Sequence, residues 1–287
     1  MFFFKIISYL PISVLYLFTD ILFLFAYHVV GYRKKVVNEN LANAFPEKSE
    51  KERAKIRRKF YRNLTDSFAE TLKLLTLSKE EINKRYACEN LHLVTDPIAN
   101  GKIIVGFQAH FFNWEGHVLT MSTYLGSFCE VVYLKLNTTF FDKFMKELRG
   151  RFGATLTERN QFIKQFIAQK DKPRLIALAA DQRPQFSEIR YWSTFMNRDA
   201  AFFEGGEKLA KRFSCQVIYG EVAKVKRGHY RFTYHILASP PYEGGNSNGI
   251  TERYIRAVEK NIQDSPDLYL WSHNRWKEKK PVTPALD

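Results

Sequence analysis

Cysteine is scarce in this chain: Cys88, Cys129 and Cys215 are the only three in 287 residues. They are odd in number, far apart and lack the paired spacing of a zinc site or a disulfide framework. This argues against a cystine-stapled fold and a structural metal, and points to a reducing compartment. Acidic residues are also in deficit, with 30 Asp and Glu against 44 Lys and Arg and a formal charge of +14. Such an imbalance favours an anionic partner, whether nucleic acid, a phospholipid surface or an acidic carrier protein. Internal repeats, low-complexity tracts and the signals of a second large domain are missing too. No recognisable nucleic-acid motif accompanies the positive charge, so a nucleic-acid partner is not expected.

Apolar and aromatic residues are abundant. They make up 45% and 15% of the chain, with 25 Phe and 15 Tyr, more than a disordered segment tolerates. Much of this sits near the start, where residues 6–30 read IISYLPISVLYLFTDILFLFAYHVV with Asp20 as the only formal charge. As a helix this stretch would reach about 37 Å, enough to cross a bilayer. Pro11 would kink or begin the helix and Asp20 would be costly at mid-membrane, so a helix lying along one leaflet is the alternative to one that spans. The run is longer than the apolar part of a signal peptide and has no small-residue cleavage site before Arg33. Arg33, Lys34 and Lys35 follow it, and the positive-inside tendency places them and the rest of the chain on the cytoplasmic side. The expected organisation is a membrane anchor over residues 1–32 and one domain over 33–287.

Residues 47–75 are rich in helix formers, with Ile56, Phe60, Leu64 and Phe68 recurring every fourth position above a basic face. Beyond them, apolar runs at 102–107, 130–136 and 174–179 read as buried strands. Helical stretches at 113–125, 139–149 and 160–169 lie between. Residues 215–225 and 230–237 flank Lys226-Arg227-Gly228-His229 and read as a hairpin. Residues 240–249 form a Gly- and Pro-rich loop, and a last amphipathic helix covers 250–262. Alternating strands and helices specify an α/β fold, a layered α/β/α domain with a mixed, mostly parallel sheet.

The strand at 102–107 runs straight into Gln108-Ala109-His110-Phe111-Phe112-Asn113-Trp114-Glu115. Ligands of open α/β sheets bind beyond the carboxyl ends of strands, so these polar groups stand at the expected place for a site. On one continuous helix His110 and Glu115 would lie about 140° apart and could not meet. If Asn113 caps a helix beginning at Trp114, His110 stays on the preceding loop and can fold back toward Glu115. A carboxylate that accepts one imidazole N–H fixes the tautomer and raises the basicity of the other nitrogen, as a general base requires. The alternative is an ordinary loop histidine and a first-turn acid favoured by the helix dipole.

The sequence resembles the lipid A late acyltransferases, within the glycerolipid acyltransferase superfamily whose signature is H-x-x-x-x-D/E. The stretch from His110 to Glu115 matches four of the five specified positions of the fuller form H-x-G-N-W-E. Four further segments agree in order: residues 33–46, with a basic, N-L and F-P pattern; residues 178–182 (LAADQ); the segment 195–217, containing GGEKLAKR; and residues 269–277 (YLWSHNRWK).

The resemblance implies transfer of an acyl chain from an acyl carrier protein thioester to a hydroxyl of a phosphorylated lipid acceptor, a lipid A precursor, at an anionic membrane surface. The location implied is the bacterial inner membrane, with no cofactor and no metal. His110 would be the general base and Glu115 its holder. Arg159 would bind an acceptor phosphate or order the site, Asp181 would orient Arg159 or a loop donor, and Asn113 and Gln182 would join the substrate-binding set. The Trp271 to Trp276 element would seat the domain structurally. Phe112 stands where the family has glycine, and Phe202-Phe203-Glu204 where small residues and threonine are common. These changes leave acyl length and acceptor open. The nearest rival function is a lysophospholipid or aminolipid O-acyltransferase; a catalytically inactive membrane-tethered binding protein is the remaining alternative.

Overall fold

A strand that is apolar at nearly every position must be covered on both faces, and the runs 103–108 and 174–179, polar only at Gln108 and Arg174, meet that condition at the middle of the sheet. The structure is a computed structural model that describes residues 2–242 and 248–281. Its helices are α1 (Phe2–Ser8), α2 (Ile12–Leu24), α3 (Lys34–Ala44), α4 (Glu50–Lys73), α5 (Lys79–Arg85), α6 (His92–Ala99), α7 (Trp114–Leu125), α8 (Thr139–Arg149), α9 (Phe162–Ala168), α10 (Gly205–Phe213) and α11 (Gly249–Asp264). The strands are β1 (Tyr86–Glu89), β2 (Ile103–Gln108), β3 (Cys129–Tyr133), β4 (Thr155–Glu158), β5 (Arg174–Ala179), β6 (Tyr191–Phe195), β7 (Arg198–Phe202), β8 (Gln216–Lys226) and β9 (His229–Ala238).

Among the described residues seven strands form one sheet in the order β1-β9-β8-β2-β5-β3-β4, and β6 and β7 make a separate hairpin. Every neighbouring pair in the large sheet is parallel except β8 with β9. Side chains alternate across it. Val105, Phe107, Ile176, Val217 and Tyr219 enter a core with Leu209, Tyr254, Ile255 and Val258 of α10 and α11. Ile104, Leu175, Ala177 and Ile218 face Val94, Ile98, Val118 and Met121 of α6 and α7. The layered α/β/α arrangement and the mostly parallel sheet are as expected. Gly206 illustrates how closely α10 approaches β2, because a Cβ there would meet the Phe107 ring at 2.5 Å.

The expected strands, helices and hairpin recur with small shifts at their ends, while β1, β4, β6 and β7 were not anticipated. β1 and β4 are four-residue edge strands, too short for a clear period. The β6–β7 hairpin turns at Met196 and Asn197, both with positive φ, without the glycine that usually announces such a turn. The expected loop at 240–249 lies partly outside the described residues.

The N-terminal apolar run breaks at Pro11 into α1 and α2, and α2 continues as a π-helical segment (Phe25–Val30). Ile12–Val30 is long and apolar enough to cross a membrane. It does not stand away from the domain, because α2 lies antiparallel along α4. The Tyr16 hydroxyl donates to Glu70 at 3.0 Å, the Thr19 hydroxyl donates to Asp66 at 3.3 Å, and Asp20 pairs with Arg62. Asp20, the one charge in the run, is thereby neutralised. The opposite face keeps Leu17, Phe18 and Ile21 about 60% exposed.

Candidate active site

Register brings the site together. In the parallel pair β2–β5, Gln108 stands beside Ala179, so the residues two positions beyond, His110 and Asp181, leave the sheet side by side. The His110 Nδ1 lies 2.7 Å from Asp181 Oδ1, and Asp181 is fully buried while the imidazole is 22% exposed. Since the carboxylate accepts at Nδ1, Nε2 is the nitrogen left with a lone pair, and it has no protein partner among the described residues. Burial opposes a charged imidazole, but the charge and hydrogen bond of Asp181, with Glu115 adding, hold His110 above its ordinary pKa despite Arg149. Burial likewise opposes an ionised Asp181. The charge and hydrogen bonds of His110, backed by Arg275, overcome it and keep the carboxyl below its usual range.

Asp181 was expected to orient Arg159 or a loop donor, and the group it meets is a loop donor, His110; the expectation that Glu115 grips His110 is corrected here. Glu115 sits in the first turn of α7, facing the end of α8. Its two oxygens take a bidentate pair of bonds from Arg149, from Nε at 2.8 Å and from Nη2 at 2.6 Å. The Trp114 indole adds a third bond at 2.8 Å. A forked guanidinium matches a carboxylate better than an imidazole N–H can, so Glu115 fixes Arg149 while Asp181 fixes His110. Arg149 was missed in the sequence because it follows Glu115 by 34 positions in a plain amphipathic helix. Only the approach of α8 to α7 distinguishes it from the other surface cations.

Asn113 caps α7 as expected, its Oδ1 accepting from the Glu115 and Gly116 amides at 3.1 Å each. Its Nδ2 donates to Glu70 Oε2 at 3.2 Å and reaches Tyr86 Oη at 3.5 Å. With all four hydrogen-bonding positions engaged inside the fold, Asn113 holds the motif in shape and has nothing left for substrate. Glu70 also accepts from Tyr16 and Tyr230, so one buried carboxylate joins α2, α4, β9 and the His110 loop. Gln182 is half-buried beside Asp181, and its side chain makes no hydrogen bond among the described residues. Arg159 lies at the end of the edge strand β4, pairing with Glu188 and lying over the Phe203 ring at 5.2 Å. Three strand spacings separate it from β2, about 14 Å, so it is not brought to His110. Phe112 fills the glycine position as a wholly buried ring against Trp114 and Phe60.

The first and last family segments meet at this loop. Residues 110–112 form a short antiparallel bridge with 268–270, the Phe112 amide donating to Leu268 O at 2.9 Å and the Leu270 amide to His110 O at 3.0 Å. Asn40 of α3 donates to the carbonyls of Trp271 and His273, and Phe45 packs edge-on against Trp271. The His273 ring accepts the Arg183 amide, and burial pushes its pKa down to about 4, leaving it neutral. His117, one turn into α7, is bonded to the Tyr234 hydroxyl at 2.7 Å and stacked on Phe232, and burial lowers it to about 3. It is a core residue, unlike His110.

A partly exposed imidazole steered by a buried carboxylate, at the carboxyl ends of adjacent parallel strands, is an arrangement able to take a proton from a nucleophile. The model of the family described as bacterial lipid A biosynthesis acyltransferase matches residues 1–278. The chain belongs to that family and is an acyltransferase. Lipid A biosynthesis acyltransferase 1 of Shigella flexneri is 24% identical over 249 residues, covering 84% of this chain and 74% of its own length. Lipid A biosynthesis myristoyltransferase of Escherichia coli (strain K12) is similar to the same extent.

Proposed function

We propose that this acyltransferase moves a fatty acyl chain from an acyl carrier protein thioester to a hydroxyl of a lipid A precursor, with His110 Nε2 as general base. The contact between His110 Nδ1 and Asp181 carries this reading, because it sets the tautomer and leaves Nε2 free for the acceptor hydroxyl. As the hydroxyl oxygen bonds to the thioester carbon, Nε2 takes its proton and the carbonyl oxygen becomes an oxyanion. When the carbonyl re-forms, the C–S bond breaks and the imidazolium protonates the departing sulfur. Arg149 supplies fixed positive charge beside this chemistry, and Glu115 positions Arg149 and offsets part of that charge at His110.

Residues 1–32 serve as the membrane anchor of the domain at 33–287, on the cytoplasmic face of the inner membrane. The contact of α2 with α4 favours a helix lying in one leaflet over one that crosses it. The test is an assay of the purified enzyme with lipid A precursor and either carrier-protein or coenzyme A thioester. A product heavier by one acyl chain, formed faster from the carrier protein, is expected. Acylation of lysophospholipid or aminolipid instead would reassign the acceptor.

Glu115→Gln is expected to lower kcat about a hundredfold, Arg149→Gln similarly, and the double variant no further than either alone, because the two act as one pair. A silent Arg149→Gln beside a damaging Glu115→Gln would return Glu115 to direct contact with the base.

A further inference from the structure

Away from His110, a cavity of about 850 Å³ opens between α2, α4, the β8–β9 turn and the end of α11. Its cations are Lys55, Arg58, Lys59, Arg62, Lys224 and Arg227, and its carboxylates Asp66, Asp264 and Asp267. The carboxylates are already engaged: Asp66 by Arg227, Asp264 by Lys260 and Asp267 by Asn63. Arg62 and Arg227 pair with Asp20, and Lys224 donates to Asn63 at 2.7 Å. Lys55 and Lys59 have neither a hydrogen bond nor a salt bridge among the described residues. Arg58 lies over the Phe23 ring at 5.9 Å. Three exposed cations on one face of α4 therefore line the cavity with no salt bridge among the described residues.

The rest of the lining is Asn63 and an apolar set, Phe23, Ile56 and Pro266. In α2 and the segment after it, Leu22, Leu24 and Phe25, the chain neighbours of Phe23, are 40%, 55% and 54% exposed. Unmatched positive charge joined to an uncovered apolar face suits a ligand that is anionic at one end and hydrocarbon at the other. The volume suits a headgroup rather than a single ion. None of the lining residues contacts His110, Asp181, Glu115 or Arg149, so the cavity is separate from the catalytic groups.

We propose that this cavity binds the phosphate-bearing headgroup of a membrane lipid, with the lipid chains lying along the exposed face of α2. Lys55, Lys59 and Arg58 hold the phosphate, and the Arg62–Asp20–Arg227–Asp66 network keeps α2 and α4 at the separation the headgroup needs. Retention of this lipid is a binding property, readable without any assay of acyl transfer.

The test uses the full chain in nanodiscs of mixed phosphatidylcholine and phosphatidylglycerol, then native mass spectrometry of the lipids that stay bound. Wild type is expected to retain phosphatidylglycerol preferentially. The Lys55→Glu/Lys59→Glu variant should lose that preference by about tenfold or more, and the Lys164→Glu/Lys170→Glu variant, which makes the same charge change elsewhere, should keep it. If phosphatidylglycerol is not retained but added phosphorylated lipid A precursor is, in a Lys55- and Lys59-dependent way, the headgroup site stands with the acceptor as its source. Equal retention of both phospholipids without precursor binding, or equal losses in the two variants, would overturn the proposal.

Discussion

Replacing His110 with alanine is expected to lower acyl transfer by about two to four orders of magnitude, with expression and membrane association close to wild type and a melting temperature lowered only as far as the buried Asp181 loses its partner. Among the described residues the imidazole makes one side-chain hydrogen bond, to Asp181, and it is partly exposed, so its removal deletes the proposed proton acceptor without emptying a core position. The loop is held by backbone bonds from residues 110–112 to 268–270 and by the Asn113 cap, none of which uses the imidazole. Single-turnover rates with carrier-protein thioester, measured beside a thermal melt, separate the two effects. Retention of most activity would remove His110 from the chemistry.

The second large effect is expected from Asp181→Asn. An amide in place of the carboxylate can offer its NH2 to Nδ1 and stabilise the wrong tautomer, and it removes the charge that supports the imidazolium. A loss of about a hundredfold or more is expected, with a change in the pH profile whose sign follows from the environment. As the proposed base, His110 must be neutral, and Asp181 holds its pKa above the ordinary 6.5, so the wild-type rate should fall as pH drops through that raised value. Without the carboxylate, burial dominates and the acidic limb should move to lower pH. His273 and His117, both depressed by burial, cannot supply a limb in that range.

If Glu115 were the orienting group, the limb would move in Glu115→Gln and stay in Asp181→Asn. Arg275, buried over the Phe202 ring at 4.3 Å, would lose the counter-charge of Asp181 in Asp181→Asn. Arg275 forms no salt bridge with Asp181 among the described residues but feels its charge, so a modestly lowered melting temperature should accompany the kinetic change.

Much of the fold was readable because its signals are local. The inner strands β2 and β5 are apolar at nearly every position, α4 and α8 carry clean helical periods, and Asn113 before Trp114 announces the start of α7. The short strands β1 and β4 have no such period, being edges completed by their neighbours. The β6–β7 hairpin turns on Met196 and Asn197, whose positive φ values the sequence does not advertise. The fate of the apolar N-terminal run was open for a related reason. Length and hydropathy describe a helix that can enter a membrane, but whether it packs depends on partners for Tyr16, Thr19 and Asp20 some 40 to 55 positions away, on α4.

The amino-acid sequence by itself determined the family, the α/β layering, the capped turn after β2 and the identity of His110 as the residue to test. Each of these rests on residue type and short spacing. Which carboxylate serves the imidazole was decided only by the tertiary structure. His110 and Asp181 are 71 positions apart and become neighbours because β5 enters the sheet directly beside β2 in matched register. Glu115, close in sequence, is claimed by Arg149 once α8 docks against α7, since a guanidinium fork binds a carboxylate more firmly than one ring N–H.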